Sequence, residues 1–282
     1  MWHNLGELLR YRGLIHSLVV RDLKARYRGS VLGFFWSFVN PLMLLSIYTF
    51  VFTHILQNNE EKTKPYAVFM FCGLLPWTWF SSSLLEASGS LISGGNLIKK
   101  VLFPAEVLPI VSVLTNMVHF FFGLLILAGF MVYTGAYPNP ANLPWFPLVV
   151  LVQLVFTLGL ALILSALTVH FRDIRDLLAN LLTFWFFATP IIYFYQMESV
   201  QKFKWLFNLN PFFHLSVSYQ EILFFHGDAT GAPLTPGTVV KTATFVDGHL
   251  AWLLVMGAAS CALFAFGYWL FDRLRDSFAE VV

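Results

Sequence analysis

The residues able to do chemistry sit at the edges of long uncharged stretches. Arg26, Arg28, Arg172 and Arg175, with the pair Lys99 and Lys100, flank such stretches. Cations so placed could hold the phosphates of an anionic substrate as it enters from the membrane surface. The tendency of cytoplasmic flanks to carry Lys and Arg explains the same placement without any substrate. Carboxylates are scarce. Asp173, Asp176 and Glu106 lie where an acid or base could act on a membrane-bound substrate, on position alone. His54, His119 and His170 are isolated and receive no role, and Cys72 and Cys261 lie in apolar stretches as packing residues. No phosphate-binding loop of the G-x-x-x-x-G-K-[ST] type occurs, so the chain carries no nucleotide motor of its own.

The elements that must position these groups are helices. Hydrophobic residues make up 58% of the 282 and charged residues 11%, against roughly 25% in soluble domains. That balance excludes an ordinary soluble enzyme, and a net charge of +2 gives no sign of nucleic-acid binding. Six stretches lack Asp, Glu, Lys and Arg: 31–55, 66–85, 108–133, 145–169, 177–194 and 250–271. Each approaches the ~20 residues that a helix needs to cross hydrocarbon. Continuous apolar runs do not alternate as barrel strands do, so the spans are read as helices. With no carboxylate inside them, coupling to a proton or sodium gradient is disfavoured.

Charge sets the orientation. Of the 17 Lys and Arg residues, 12 fall on one side of a six-span arrangement, including every arginine; the other side keeps Lys62, Lys64, Lys202, Lys204 and Lys241. Both termini are therefore expected in the cytoplasm.

Four regions carry candidate roles. As a helix, 14–28 places Arg21, Lys24 and Arg28 within about 60° of each other, opposite Ile15, Leu18, Val19 and Leu23. It reads as a membrane-surface helix or as a plain positive flank. Phe34, Phe38, Pro41, Leu45, Tyr48 and Phe52 share a face of span one, and Asn180, Phe184, Phe187, Ile191 and Tyr195 a face of span five, which Pro190 is expected to kink. Such stripes could stack weakly on successive sugar rings, or could be helix packing. Trp77, Trp79 and Phe80 are read as anchors at the membrane interface. Region 86–106 could dock a cytoplasmic subunit or be a simple turn. Region 196–225, apolar but broken by charges and Pro211, reads as a re-entrant helical pair or an external loop.

The runs VRDLKARYR (20–28), VLGFFW (31–36), NPL (40–42), GLLPW (73–77), NLIKKVLFP (96–104), FRDI (171–174) and Asn210-Pro211, in this order over nearly the whole chain, resemble the membrane subunits of ABC-type polysaccharide exporters. The resemblance implies a permease that forms a homodimer and pairs with two ATPase subunits. The cargo it implies is O-antigen, capsule or teichoic acid on a lipid carrier. It makes 14–28 an interface helix. It places ATPase coupling around Leu91, Ile92, Asn96, Leu97, Lys99 and Lys100, and gate helices around Asn210, Pro211, Phe212 and Phe213. It further suggests that aromatics line the channel, for which Phe34, Phe38, Tyr48, Phe52, Phe184, Phe187 and Tyr195 are the candidates. Charge alone makes Arg26, Arg28, Arg172 and Arg175 the candidates for the cytoplasmic mouth, where the diphosphate of a lipid-linked glycan would enter.

The expectation is thus an all-α polytopic membrane protein. A cytoplasmic segment, 1–30, with an amphipathic interface helix precedes a six-helix transmembrane domain, 31–271. Short re-entrant gate helices lie between spans five and six, and a cytoplasmic tail covers 272–282. Its expected place is a bacterial inner membrane, its function export of lipid-linked polysaccharide. No cofactor is expected on this chain, ATP and Mg2+ belonging to the partner ATPase, and no nucleic acid is expected as a partner. An enzyme or ATP-independent scramblase acting on polyprenyl-linked sugars is the alternative.

Overall fold

A computed structural model describes residues 11–51, 55, 66–96, 104–138, 140–195, 197–224 and 249–281. All regular structure among them is helical: α1 Arg12–Arg26, α2 Trp36–Phe50, α3 Tyr66–Ser93, α4 Val107–Thr134, α5 Phe146–His170, α6 Ile174–Phe187, α7 Glu198–Gln201, α8 Lys204–Asn208, α9 Pro211–Leu223 and α10 Leu250–Val281, with short 3-10 turns at Gly33–Phe35 and Leu143–Trp145.

Four segments are long and apolar enough to cross a bilayer: Tyr66–Ser93, Val107–Thr134, Leu143–His170 and Leu250–Arg275. The expected spans two, three, four and six correspond to them, with α3 and α10 reaching past residues 85 and 271 to Ser93 and Val281. The other two expected spans are shorter as helices. Span one begins at Trp36 rather than residue 31, because Gly29 and Gly33 adopt positive φ (81° and 50°) and turn the chain between α1 and α2. Span five ends at Phe187, so α6 has 14 residues and a length of about 21 Å. Pro190 therefore lies beyond the helix instead of kinking it. Thr189 precedes that proline, a position that disfavours continued helix, and the Ala188 carbonyl is taken by Asn210.

Helix α3 is the hub. Trp77, Trp79 and Phe80 are not interfacial anchors; all three are buried in the core. The reason is geometric: α3 is surrounded, so its aromatics meet partners on four other helices. Trp79 stacks on Phe120 of α4 at 5.0 Å, Phe80 stacks on Phe156 of α5 at 5.7 Å, Phe80 meets Trp185 of α6 edge-on at 5.4 Å, and Trp77 meets Phe212 of α9 at 5.0 Å. Aromatic pairs of this kind add about 1 kcal/mol each beyond area burial. Pro76 lies within α3, where it removes one helical hydrogen bond, and Gln153 of α5 donates to the Pro76 carbonyl at 2.8 Å.

Helices α5 and α10 touch backbone to backbone. A Cβ on Gly267 would lie 2.5 Å from the Gly159 carbonyl oxygen, and one on Gly159 would lie 2.9 Å from the Phe264 nitrogen. Small residues let helices approach this closely, which maximises dispersion contact in a solvent that gives no hydrophobic drive between helices.

Candidate functional site

Among the described residues, two clusters of polar side chains stand out, one at the α1 end of the bundle and one around α9.

At the first, α1 lies against the start of α4. Leu18 is buried with Val107 and Val111, and Tyr11, Leu14, Ile15 and Val19 pack around them, while Arg21 and Lys24 remain exposed. The apolar face expected to lie on a membrane surface is thus in large part covered by protein. Arg26 ends the helix and forms an ion pair with Glu86 of α3. Asn116 of α4 donates to the same carboxylate at 2.7 Å, and its own carbonyl oxygen receives a long bond from Arg26 at 3.5 Å. One guanidinium thereby links three helices. Arg175, at the start of α6, reaches across α3, with its Nη1 3.6 Å from where a Cβ on Gly89 would stand. Arg28 and Arg172 are exposed and stand apart from this cluster: neither lines either of the two cavities beside it.

The stretch expected to couple to an ATPase begins as helix, since α3 continues to Ser93. Leu91 is fully buried with Ala105, Leu162 and Phe271, so it anchors that helix end; Ile92 and Asn96 are exposed. Leu97, Lys99 and Lys100 lie outside the described residues, as does Phe52. Glu106 is buried and lies 3.8 Å from Arg275 of α10, which ties the beginning of α4 to the end of the chain's last helix. Asp173 and Asp176 are exposed, and among the described residues no three of His, Cys, Asp and Glu are grouped to hold a metal ion.

The two aromatic stripes diverge. That of α2 turns toward the bundle: Phe38 packs on Phe122 of α4 at 4.8 Å, Leu45 is buried and Tyr48 packs on the core, whereas Met43, Ile47 and Phe50 point out. Phe34 lies in the turn before α2. On α6 Phe184 and Phe187 face outward, 75% and 60% exposed, beside exposed Asn180 and Thr183, while Trp185 and Phe186 pack on the core. Asn180 and Thr183 return their side-chain hydrogen bonds to their own helix, to Asp176 O and Ala179 O.

At the second place, α9 is an interior helix. All of it is buried except Pro211 and Glu221, which are partly so, and it packs against α3, α5 and α10. Phe212 and Phe213 are buried in the core. The exposed apolar groups of this region are instead Phe203, Trp205, Leu206 and Leu209, around α7 and α8. Asn210 fixes the start of α9. Its Oδ1 accepts from Phe212 N at 3.0 Å and from Trp185 Nε1 at 2.6 Å, and its Nδ2 donates to Ala188 O at 2.9 Å and Thr189 Oγ1 at 3.1 Å. The residue is at once a helix cap and the joint between α6 and α9. Tyr195 donates to Glu221 at 2.9 Å, and His249 at the start of α10 lies 2.8 Å from the other oxygen of that carboxylate. Sequence reasoning passed over Glu86, Asn116 and Glu221. The one signal available was their polarity at the margins of apolar stretches, since their partners are remote in sequence.

Bundled apolar helices with buried polar joints define an integral, multi-pass α-helical membrane protein. Residues 13–224 match the ABC-2 type transporter family, and the chain belongs to it. It is a transporter component rather than a catalytic enzyme. It is 40% identical to the O-antigen export system permease protein RfbA of Myxococcus xanthus, over 98% of each chain. To the protein of the same name from Klebsiella pneumoniae it is 34% identical, over 100% of this chain and 98% of that one. A more distant likeness, 24% identity over 71% of this chain and 77% of the relative, connects it to the polysialic acid transport protein KpsM of Escherichia coli.

Proposed function

We propose that this chain is the channel-forming permease of an ATP-driven exporter that moves a lipid-linked, O-antigen-type polysaccharide outward across a bacterial inner membrane. The observation that carries the reading is end-to-end likeness, over 98% of both chains, to a protein named as an O-antigen export permease. The working unit is a homodimer joined to two ATPase subunits, which hold ATP and Mg2+. Six crossings per protomer put both termini on one side, and the arginines gathered there make that side the cytoplasm. The outward aromatics Phe184 and Phe187 then face the passage, and Ile92, Asn96, Leu97, Lys99 and Lys100 meet the ATPase.

The test is reconstitution. Co-expressed with an ATPase encoded beside it, the chain should co-purify with that subunit, and addition of lipid-linked glycan should raise ATP hydrolysis. Deletion of its gene should leave polymer inside the cell. Transport by the permease alone in vesicles, without ATP, would refute the proposal.

A further inference from the structure

Two cavities meet at a single side chain. The larger, about 640 Å³, lies between α1, α3, α4 and the start of α6; it gathers Arg21, Arg26 and Arg175 against Asp22 and Glu86. The smaller, about 320 Å³, lies between α2, α3 and α4. Its near end holds Asn116 and His119, and its far end is apolar, with Leu44, Phe71, Leu74 and Leu75. Arg26 lines both, and no other residue does. The Nε2 atom of His119 is buried there with no hydrogen-bond partner, although such atoms ordinarily find one.

A ligand suited to both cavities has an anionic head and a hydrocarbon tail. The larger cavity offers three guanidinium groups for two carboxylates, so one positive charge is left for an incoming anion. Guanidinium pairs bidentately with phosphate oxygens. The smaller offers polar contact next to Arg26 and apolar walls beyond it. We propose that the paired cavities bind a phosphorylated lipid, its phosphate at Arg26 and Arg175 and the first part of its tail along Leu44, Leu74 and Leu75. Glu86 is the resident anion that neutralises Arg26 while the site is empty, and the phosphate displaces it. Removing the carboxylate charge therefore strengthens binding, whereas a merely structural pair would be weakened by loss of either partner. The inference rests on the reading of the chain as a permease for a lipid-carried polymer, and it names where that carrier docks.

The probe is farnesyl diphosphate, added to the protein in phosphatidylcholine nanodiscs. Binding is read by native mass spectrometry and by the fluorescence of the tryptophans, of which Trp36 and Trp79 line the smaller cavity. Arg26→Gln and Arg175→Gln should each weaken binding about tenfold, the loss of one charge-assisted contact, while Arg26→Lys keeps part of it and Glu86→Gln tightens it. Farnesol and inorganic pyrophosphate should each bind far more weakly than farnesyl diphosphate. Competition by dioleoylphosphatidylglycerol would support the site with a bulk phospholipid as its occupant, and lack of competition would support an isoprenoid carrier. Equal binding of farnesol or of pyrophosphate, or a Glu86→Gln protein that binds as poorly as Arg26→Gln, overturns the proposal. If the wild-type chain exports polymer but does not bind the probe, the site alone fails; if it binds the probe but exports nothing with its ATPase, the export reading fails and the site stands.

Discussion

Replacing Asn210 by alanine removes all four hydrogen bonds of its side chain. Phe212 N, Trp185 Nε1, Ala188 O and Thr189 Oγ1 are each deprived of a partner. Loss of an N-cap costs ~1 kcal/mol, and the other bonds ~0.5–1.5 kcal/mol each in a half-buried setting. Because the four share one side chain they are not additive, and a total of about 3 kcal/mol is expected. Asn210→Asp separates the contributions. It keeps the cap and the acceptor for Trp185 but loses both donors and sets a carboxylate against the Ala188 carbonyl, so it should cost about 2 kcal/mol. In a chain of this size 1 kcal/mol moves the melting temperature by ~2 °C, giving drops of about 6 °C and 4 °C. The assay is thermal unfolding in detergent followed by tryptophan fluorescence, with Leu209→Ala, at an exposed neighbour, as control. An Asn210→Ala protein that melts with the control would refute the assignment of Asn210 as the joint between α6 and α9. An Asn210→Asp protein as stable as wild type would refute the part given to its two donors.

Two further outcomes follow from packing. Gly267→Ala places a methyl group 2.5 Å from the Gly159 carbonyl, so α5 and α10 must separate, at ~1–3 kcal/mol; Gly257→Ala, whose methyl meets Val152 at an ordinary 3.4 Å, should melt near wild type. Of the two cysteines, Cys261 is exposed and Cys72 buried, so N-ethylmaleimide, which enters detergent micelles, should modify Cys261 faster than Cys72 in the folded protein, with the difference lost after denaturation; equal rates in the folded protein would contradict the burial of α3.

The sequence made the helices readable where a single physical signal dominated. Spans two, three, four and six were legible because each is a long run without charge, and hydrocarbon admits little else. The start of α2 and the end of α6 were not, because composition continues past them while the backbone turns: glycine dihedrals set the first, and a proline with the distant Asn210 sets the second. Trp77, Trp79 and Phe80 were misread for a related reason. In the expected span 66–85 they fall in the half toward the cytoplasm, where a tryptophan suits an interface as well as a core, and only the presence of α4, α5, α6 and α9 around α3 decides between them. At the α1 end, the arginines were legible as a group of cations, but that Arg26 shares a cavity with Arg175 and not with Arg28 is a matter of tertiary position. Glu86, 60 residues from Arg26 along the chain, gave no sign of being its partner.

Helix α3 carries Glu86 and Gly89 near one end and Gly73, against which Ser216 and Gln220 of α9 are set, toward the other. The 28 residues between and around them make a shaft of about 42 Å with one weak point at Pro76. If the ATPase meets Ile92 as proposed, torque applied there arrives at α9 without passing through any loop, and the proline sets how much of it is delivered as a tilt and how much is absorbed as a bend.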